Sequence, residues 1–493
     1  MSDSYIIGID QSTQGTKAVL FDQSGKMLGR QDIRHEQIVN ELGWVEHDPI
    51  QIYKNVITAV KNLIDKILVD KYKIIGVGIT NQRETAIIWD RKSGMPIYNA
   101  IVWQCARGAS ICHRLEGAKE MIHQNTGLNL SPYFTAAKIA WVLENVEGAK
   151  SKSERIELAY GTMDSWLVYK LTKGVSFKTD YSNASRTELF NIHELKWDRE
   201  ICELFGINTA CLAEVCDSNA CYGYTDFDGL LEEAIPIHAV LGDSHGALFG
   251  QNCLEKGMVK ATYGTGSSVM MNVGTVPYIG NKGIVTSLAW GMDGRVEYVL
   301  EGNINYTGAV ISWLKDKAEL ISSSSESEYY ANIAHPADNT YLVPAFSGLG
   351  APYWNSEASA ILCGMTRNTG KAEIVRAALD SIAYQIADII EVMMRESGIE
   401  IKELRVDGGP TKNNYLMQFQ SNLLNIPLRV PRTDELSVIG VAYAAGIALG
   451  AYDKDRIFME IEAIRFHPNM NQELRTKKLK GWKEAVGMVL HKR

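Results

Sequence analysis

Several features that define other protein classes are scarce or missing in this 493-residue sequence. It has only 8 cysteines and no CxxC pair, which argues against a disulfide framework and a structural zinc site. The thiols read instead as small, reduced hydrophobes. The 10 histidines are scattered and HExxH does not occur, so metal chemistry through His and Cys is not expected. Basic residues are not in excess. A total of 50 Lys and Arg against 58 Asp and Glu gives a net charge of −8, without the positive balance that proteins holding nucleic acid carry. No apolar run approaches the ~18 residues of a membrane span, so no membrane insertion is expected. The N-terminal MSDSYIIGID lacks a basic region and an apolar signal core, and a cytoplasmic chain is expected. Neither GxxxxGKS/T nor GxGxxG occurs, which disfavours the P-loop and Rossmann modes of nucleotide binding.

What is present is an ordinary globular composition, 46% apolar and 22% charged. At roughly 100–200 residues per domain the length suits two or three domains. Residues 5–9 (YIIGI) read as a buried strand, DQSTQGT as a polar turn and 17–21 (KAVLF) as a second strand. Asp22-Gln-Ser-Gly25 then turns into a third. The order strand, polar loop, strand recurs at 74–94 (IIGVGIT, NQRET, AIIWD) and at 258–273 around Tyr263-Gly-Thr-Gly266. The copies at 5 and 258 imply a duplicated architecture with domains 1–253 and 254–493, the boundary lying near 250–256. No Pro/Ser-rich linker intervenes, so the halves are expected to pack closely and hinge.

Helices alternate with these strands. Asp48-Pro49-Ile50-Gln51 reads as an N-cap, a Pro at the first helical position and a capping-box Gln. Val56, Val60, Leu63 and Ile67 continue that helix at helical spacing. Ile382, Ile386, Ile389 and Met393 mark another, which Gly398 can end. Near the C-terminus Leu479, Trp482, Val486 and Val489 share a face, with Lys477, Lys478, Lys480 and Lys483 opposite as a solvated one. Alternating strands and helices specify α/β layers, and the hairpins make the sheets mixed.

Three loops stand at strand ends with phosphate-binding chemistry. Asp10-Gln-Ser-Thr13-Gln14-Gly-Thr16 offers backbone N–H groups and hydroxyls, and Asp10 can hold Mg²⁺ through water. Tyr263-Gly264-Thr265-Gly266-Ser267 repeats the pattern. Asp407-Gly408-Gly409 precedes an amphipathic helix, and its glycines permit close approach of a ligand. Together they fit a nucleotide held in a cleft between duplicated domains.

At this point the chain resembles the FGGY family of carbohydrate kinases. One family signature is matched by Tyr133-Phe-Thr-Ala-Ala-Lys138-Ile-Ala-Trp141-Val-Leu-Glu-Asn145, and a second by Ala360-Ile-Leu-Cys-Gly364-Met365 with Glu373-Ile-Val-Arg-Ala-Ala-Leu-Asp380. NQRET (81–85), PIYNAIVWQ (96–104), TDYSNASRTELFNI (179–192), APYW (351–354), DGGPTKNNYLMQFQ (407–420) and GWKEAV (481–486) are similar to glycerol kinases within that family. The resemblance implies two duplicated actin/hexokinase-like (ribonuclease H-like) α/β domains with an interdomain cleft. It implies ATP and Mg²⁺ as cofactors and transfer of the γ-phosphate to a terminal hydroxyl of a small polyol or sugar.

It also implies roles for residues. Asp243, in Leu-Gly-Asp-Ser-His, is the catalytic base that takes the hydroxyl proton. Arg83 and Glu84 hold the polyol, Arg83 through a planar fork, with Trp103 and Tyr133 as wall and phenol. Thr13, Gln14 and Lys17 face the phosphates, Asp10 organises Mg²⁺, and Thr265 and Gly266 form the second phosphate loop. Gly308, Ser312, Gly409 and Asn413 line the adenosine site. Closure of the domains would expel water and limit hydrolysis. Proteins of this kind form homodimers or homotetramers, and the sequence leaves the oligomeric state open.

The pattern breaks at three substrate-pocket positions. Glycerol kinases carry Asp-Gln where this chain has Asp243-Ser244, Phe where it has Ser268, and two arginines where it has Ala106-Arg107. Each change removes volume, and His245 could reach an added hydroxyl. The expectation is a wider pocket for a four- or five-carbon polyol or a ketose, with glycerol itself as the alternative. An actin-like ATPase acting on proteins would lack the two signatures, and an inactive sugar sensor would not need Asp10, Thr13, Asp243 and Thr265.

Overall fold

A computed structural model describes residues 4–490. Apolar runs broken by glycine turns form an antiparallel meander from Tyr5–Gln11 (β1), Gly15–Phe21 (β2) and Met27–Arg34 (β3). Gly25, at φ 79°, makes the turn that a side chain would strain. Ile74–Asn81 (β4) pairs parallel with β1. Cys221–Thr225 (β5) runs antiparallel to Ile235–Gly242 (β6), and β6 runs parallel to β4. The sheet order is β5-β6-β4-β1-β2-β3.

The second half builds another mixed sheet. Val259–Tyr263 (β7), Ser267–Gly274 (β8), Val285–Met292 (β9) and Arg295–Ile304 (β10) are joined antiparallel. Leu404–Asp407 (β11) and Leu428–Pro431 (β12) add in parallel, and Ala463–Phe466 (β13) closes the edge. Its order is β9-β10-β8-β7-β11-β12-β13. The run β10-β8-β7-β11-β12 repeats the antiparallel and parallel pairings of β3-β2-β1-β4-β6. This is the duplication read from the sequence, a two-domain α/β fold.

The strand, polar loop and strand read at 74–94 are present, but the second strand does not lie beside the first. Ile87–Asp90 leaves the sheet and pairs with Leu158–Gly161. The reason is topological: β4 already has β1 on one side and β6 on the other. NQRET is therefore a crossover, with Glu84 at φ 62°, into a separate core around the helix Thr135–Asn145.

The helix Pro49–Ile67 (α1) buries Ile52, Val56, Val60 and Leu63 beneath β2 and β3. Asp48 caps it by accepting from the Ile50 N–H at 2.8 Å. The capping box expected with Gln51 is not made, because the Gln51 side chain accepts from the Glu36 N–H instead. Thr135–Asn145 becomes α2, Asp243–Gly250 α3, Gly308–Asp316 α4 and Lys371–Ser397 α5. Asn414–Leu424 (α6), Leu436–Ala448 (α7) and Gln472–Leu490 (α8) follow. On α8 the lysine face is not uniformly solvated: the Lys478 ammonium lies over the Phe419 ring, 5.3 Å from its centre.

Helix α7 belongs to the second half in sequence yet packs on β1, β4 and β6 of the first sheet and across α3. From Leu436 to Gly446 every residue but Ser437 is buried, which suits a helix apolar on nearly every side. The α3–α7 crossing is backbone on backbone: a Cβ on Gly440 would stand 1.9 Å from the Gly246 carbonyl oxygen. One core runs between the sheets, joining Ile6, Phe21 and Leu241 to Met270, Trp290 and Val441. Both helices start at the cleft, α3 with Asp243 and α7 just after Glu435.

Candidate active site

The β1–β2 turn and the start of α3 open onto one cavity. The turn joining β1 to β2 carries Ser12 to Gly15, and its Ser12 N–H and hydroxyl both donate to the Gly15 carbonyl. A cavity of about 610 Å³ lies against this turn. Thr13, Gln14 and Lys17 line it, together with Arg30, Asp32 and Arg34 of β3 and Asp243 of α3. The alternation of β3 puts Arg30, Asp32 and Arg34 on one face, and Asp32 is register partner to Lys17.

Asp10 ends up almost fully buried beside Lys17, whose ammonium is 3.5 Å away. Burial pushes the Asp10 carboxyl up to about 6; Lys17 opposes this, and Asp243 and Glu435 add to it. Among the described residues no three His, Cys, Asp or Glu side chains cluster as a metal cage. A buried carboxylate outside any such cage, with Asp243 and Glu435 acting on it only from a distance, suits a cation held mainly by water and phosphate oxygens.

Asp243 is the first residue of α3 and is 39% exposed at its side chain. Its Oδ1 accepts from the Ser244 N–H at 2.7 Å and lies 3.1 Å from Arg83 Nε. Both contacts use the same oxygen, Oδ1, and leave Oδ2 uncommitted. Arg83 does not present the free fork expected of it. Its Nη1 and Nη2 both donate to Glu301 at 3.0 Å, leaving only Nε toward Asp243.

Glu301 on β10 is the centre of a buried network that sequence reasoning missed. Arg186 Nη1 approaches it at 3.0 Å and the Ser268 hydroxyl donates to it at 3.2 Å. Burial would raise the Glu301 carboxyl, but Arg186 and Arg83 override burial and hold it well below the usual range. Arg186 Nε also donates to Glu84 at 2.6 Å, so Glu84 is paired within the network. Arg186 sat inside TDYSNASRTELF without an assigned role, and nothing in the sequence linked Glu301 to position 83.

Trp103 and Tyr133 meet edge to face at 5.5 Å, and Trp103 Nε1 donates to the Thr13 hydroxyl at 3.0 Å. Ser244 is half-buried. His245 is fully buried, with Nε2 3.4 Å from the Ser287 hydroxyl and Nδ1 without a partner. Burial, with Arg83 beside it, keeps that imidazole neutral. Ala106 is exposed, whereas Arg107 turns into an aromatic box of Trp44 and Trp141 and pairs with Glu46 at 2.6 Å.

On the opposite side, the Gly264 and Thr265 carbonyls accept from the Gly308 and Ala309 N–H groups, tying the second glycine loop to the start of α4. Gly266 sits against the Ile304 carbonyl, where a Cβ would be 2.3 Å away. Gly308, Ser312, Gly409 and Asn413, far apart in sequence, line one cavity of about 420 Å³. No helix among the described residues is long and apolar enough to cross a membrane.

The N-terminal domain of the FGGY family of carbohydrate kinases matches residues 5–250, and its C-terminal domain matches 259–449. The chain is 49% identical over 490 residues to glycerol kinase 1 of Thermotoga maritima, covering 99% of each. It is 46% identical to a glycerol kinase of Carboxydothermus hydrogenoformans, covering 99% of this chain and 98% of that one. The crystal structure of Plasmodium falciparum glycerol kinase with ADP superposes with a TM-score of 0.94 at 36% identity, covering 99% of both chains. A xylulose kinase from Lactobacillus acidophilus shares the fold, with a TM-score of 0.88 at 21% identity and coverage of 98% and 97%. Matched along its whole length in this way, the chain belongs to the FGGY family of carbohydrate kinases and is a phosphotransferase.

Proposed function

We propose that this protein transfers the γ-phosphoryl group of ATP to a terminal hydroxyl of glycerol. The observation that carries the reading is Asp243, opening into the same cavity as the Thr13–Lys17 turn with one carboxylate oxygen uncommitted. Phosphoryl transfer asks little covalent chemistry of the protein beyond alignment, charge neutralisation and a place for one proton. In this reading Asp243 Oδ2 takes the proton of the attacking hydroxyl, and Arg83 Nε and the Ser244 N–H fix the carboxylate. Trp103 and Tyr133 wall the acceptor. Thr13, Gln14 and Lys17 hold the β- and γ-phosphates from one side and Thr265 and Gly266 from the other. Gly308, Ser312, Gly409 and Asn413 receive the adenosine. Asp10 would hold Mg²⁺ through water, and the bound ion supplies neutralising charge to the phosphate oxygens.

Full-length relatives named as glycerol kinases support glycerol as the acceptor. So does the use made of Ser268, whose hydroxyl is spent on Glu301, and of His245, which is buried. The volume removed at Ser244, Ser268 and Ala106 keeps a four- or five-carbon polyol or ketose as the competing acceptor. The test is kcat/KM, read by coupled ADP release, across glycerol, tetritols, pentitols and ketopentoses. Glycerol should rank first with little turnover in the absence of acceptor. A higher value for any longer acceptor overturns the assignment of glycerol while leaving the kinase reading intact.

A further inference from the structure

Lys138 is a fully buried lysine with no carboxylate in hydrogen-bond contact. It sits in the first turn of α2, where the helix dipole opposes a cation, and its side chain is 0% exposed. Burying an ammonium costs several kcal/mol unless its donors are met. They are met by backbone: Nζ donates to the carbonyls of Pro132 and Phe134 at 2.9 Å each, and to that of Tyr133 between them. All three ammonium donors are thus consumed by three consecutive peptide groups. Burial pushes Lys138 down to about 7, and the acidic groups facing it, Glu84 and Glu188, oppose that shift, as do Cys105 and Cys112.

The same short turn is pinned from its other end. Glu188, itself buried, accepts from the Ser131 N–H at 2.8 Å, and the Ser131 hydroxyl accepts from the Tyr133 N–H at 3.2 Å. Two buried ionisable side chains therefore hold a turn of four residues, Ser131 to Phe134. What that turn presents is the Tyr133 ring, edge to face with Trp103, whose indole N–H reaches Thr13. A continuous path leads from Lys138 through Tyr133 and Trp103 to the first phosphate loop.

We propose that Lys138 is a positioning residue for the acceptor. It fixes Tyr133 against Trp103 and so sets the wall on which the polyol rests. It touches neither the acceptor nor the nucleotide. The inference rests on Trp103 and Tyr133 walling the acceptor in the proposed kinase.

The test is a double-mutant cycle in the full-length enzyme, run with whichever acceptor ranks first in the panel, so that failure of the glycerol assignment does not decide it. Lys138→Met should raise the acceptor KM by roughly tenfold, because three buried carbonyls lose their donor, with the KM for ATP within about twofold. In a Tyr133→Ala background the same substitution should add less than about twofold, since the group it acts through is gone. Should Lys138→Met fail to fold, Lys138→Gln, which keeps an amide donor, takes its place in the cycle. Full additivity with Tyr133→Ala, or an equal loss in both KM values and kcat, would make Lys138 merely structural and overturn the proposal.

Discussion

Lys17 of the first half and Glu435 of the second are joined Nζ to Oε2 at 3.0 Å. The same ammonium is 3.5 Å from Asp10, and Arg30 also donates to Glu435. Burial works against the charge on Lys17, but Asp10 and Glu435 outweigh it, so its pKa is raised. A cation held between two carboxylates beside the Thr13–Gln14 turn is placed to exchange one of them for a phosphate oxygen. Lys17→Ala should therefore raise the KM for ATP by about tenfold or more, the worth of a charged hydrogen bond, with the acceptor KM little changed. Steady-state kinetics with each substrate varied in turn checks this. A change confined to the acceptor KM would remove Lys17 from the phosphate site.

Asp243→Asn keeps the shape and the hydrogen bond from Arg83 Nε but cannot take a proton. It should lower kcat by at least ~100-fold, the usual share of general-base catalysis, with KM values within a few-fold. Single-turnover measurement separates chemistry from product release. An unchanged chemical rate would show that the acceptor loses its proton elsewhere.

Asp10 gives two pH dependences of opposite sign. Its folded-state pKa of about 6 lies above the ordinary value of 3.8, so between those limits the folded protein binds the extra proton. In the absence of ligands this contributes stability that is present below about pH 4 and is lost as pH rises through 6, on the order of 3 kcal/mol. In the proposed function Asp10 binds Mg-ATP as the carboxylate, so the KM for Mg-ATP should rise as pH falls below 6. Thermal unfolding and ATP kinetics of the wild type and of Asp10→Asn from pH 4.5 to 7.5 test both signs. Asp10→Asn should flatten each curve, and identical curves for the two proteins would place the titration on another group.

Much of this was legible in the sequence because it is local. The β1–β2 and β7–β8 hairpins announce themselves as apolar runs around a glycine-bearing polar turn, and Asp10 is a carboxylate at the end of such a run. The adenosine-site residues that the family resemblance implies do share a cavity, although Gly308 and Ser312 stand about 100 residues before Gly409 and Asn413. What was missed depends on long-range partners. Gln51 satisfies the spacing of a capping box, yet the Glu36 N–H, in the loop after β3, takes its side chain. AIIWD is a strand as read, but that it pairs outside the sheet of β4 depends on which places beside β4 are already taken. Glu301 and Glu435 sit in unremarkable strings, and only folding brings Arg83 to one and Lys17 to the other.

Ser268 is where the sequence and the relatives pull apart, and substitution there can decide what the pocket prefers. Its hydroxyl donates to Glu301 at 3.2 Å, alongside the two guanidinium groups on that carboxylate. Ser268→Phe removes the weakest of Glu301's partners, so the network should survive, and it restores an apolar wall beside Arg83. A wall that fits three carbons should exclude five, and a pocket difference of this size discriminates by roughly 10- to 100-fold. The kcat/KM ratio of glycerol to a pentitol should therefore rise by about tenfold, with thermal stability within about 1–2 kcal/mol of wild type. Competition between the two acceptors in one reaction measures the ratio directly. If the ratio is unmoved while the protein stays folded, Ser268 serves Glu301 alone and the acceptor lies elsewhere in the cleft.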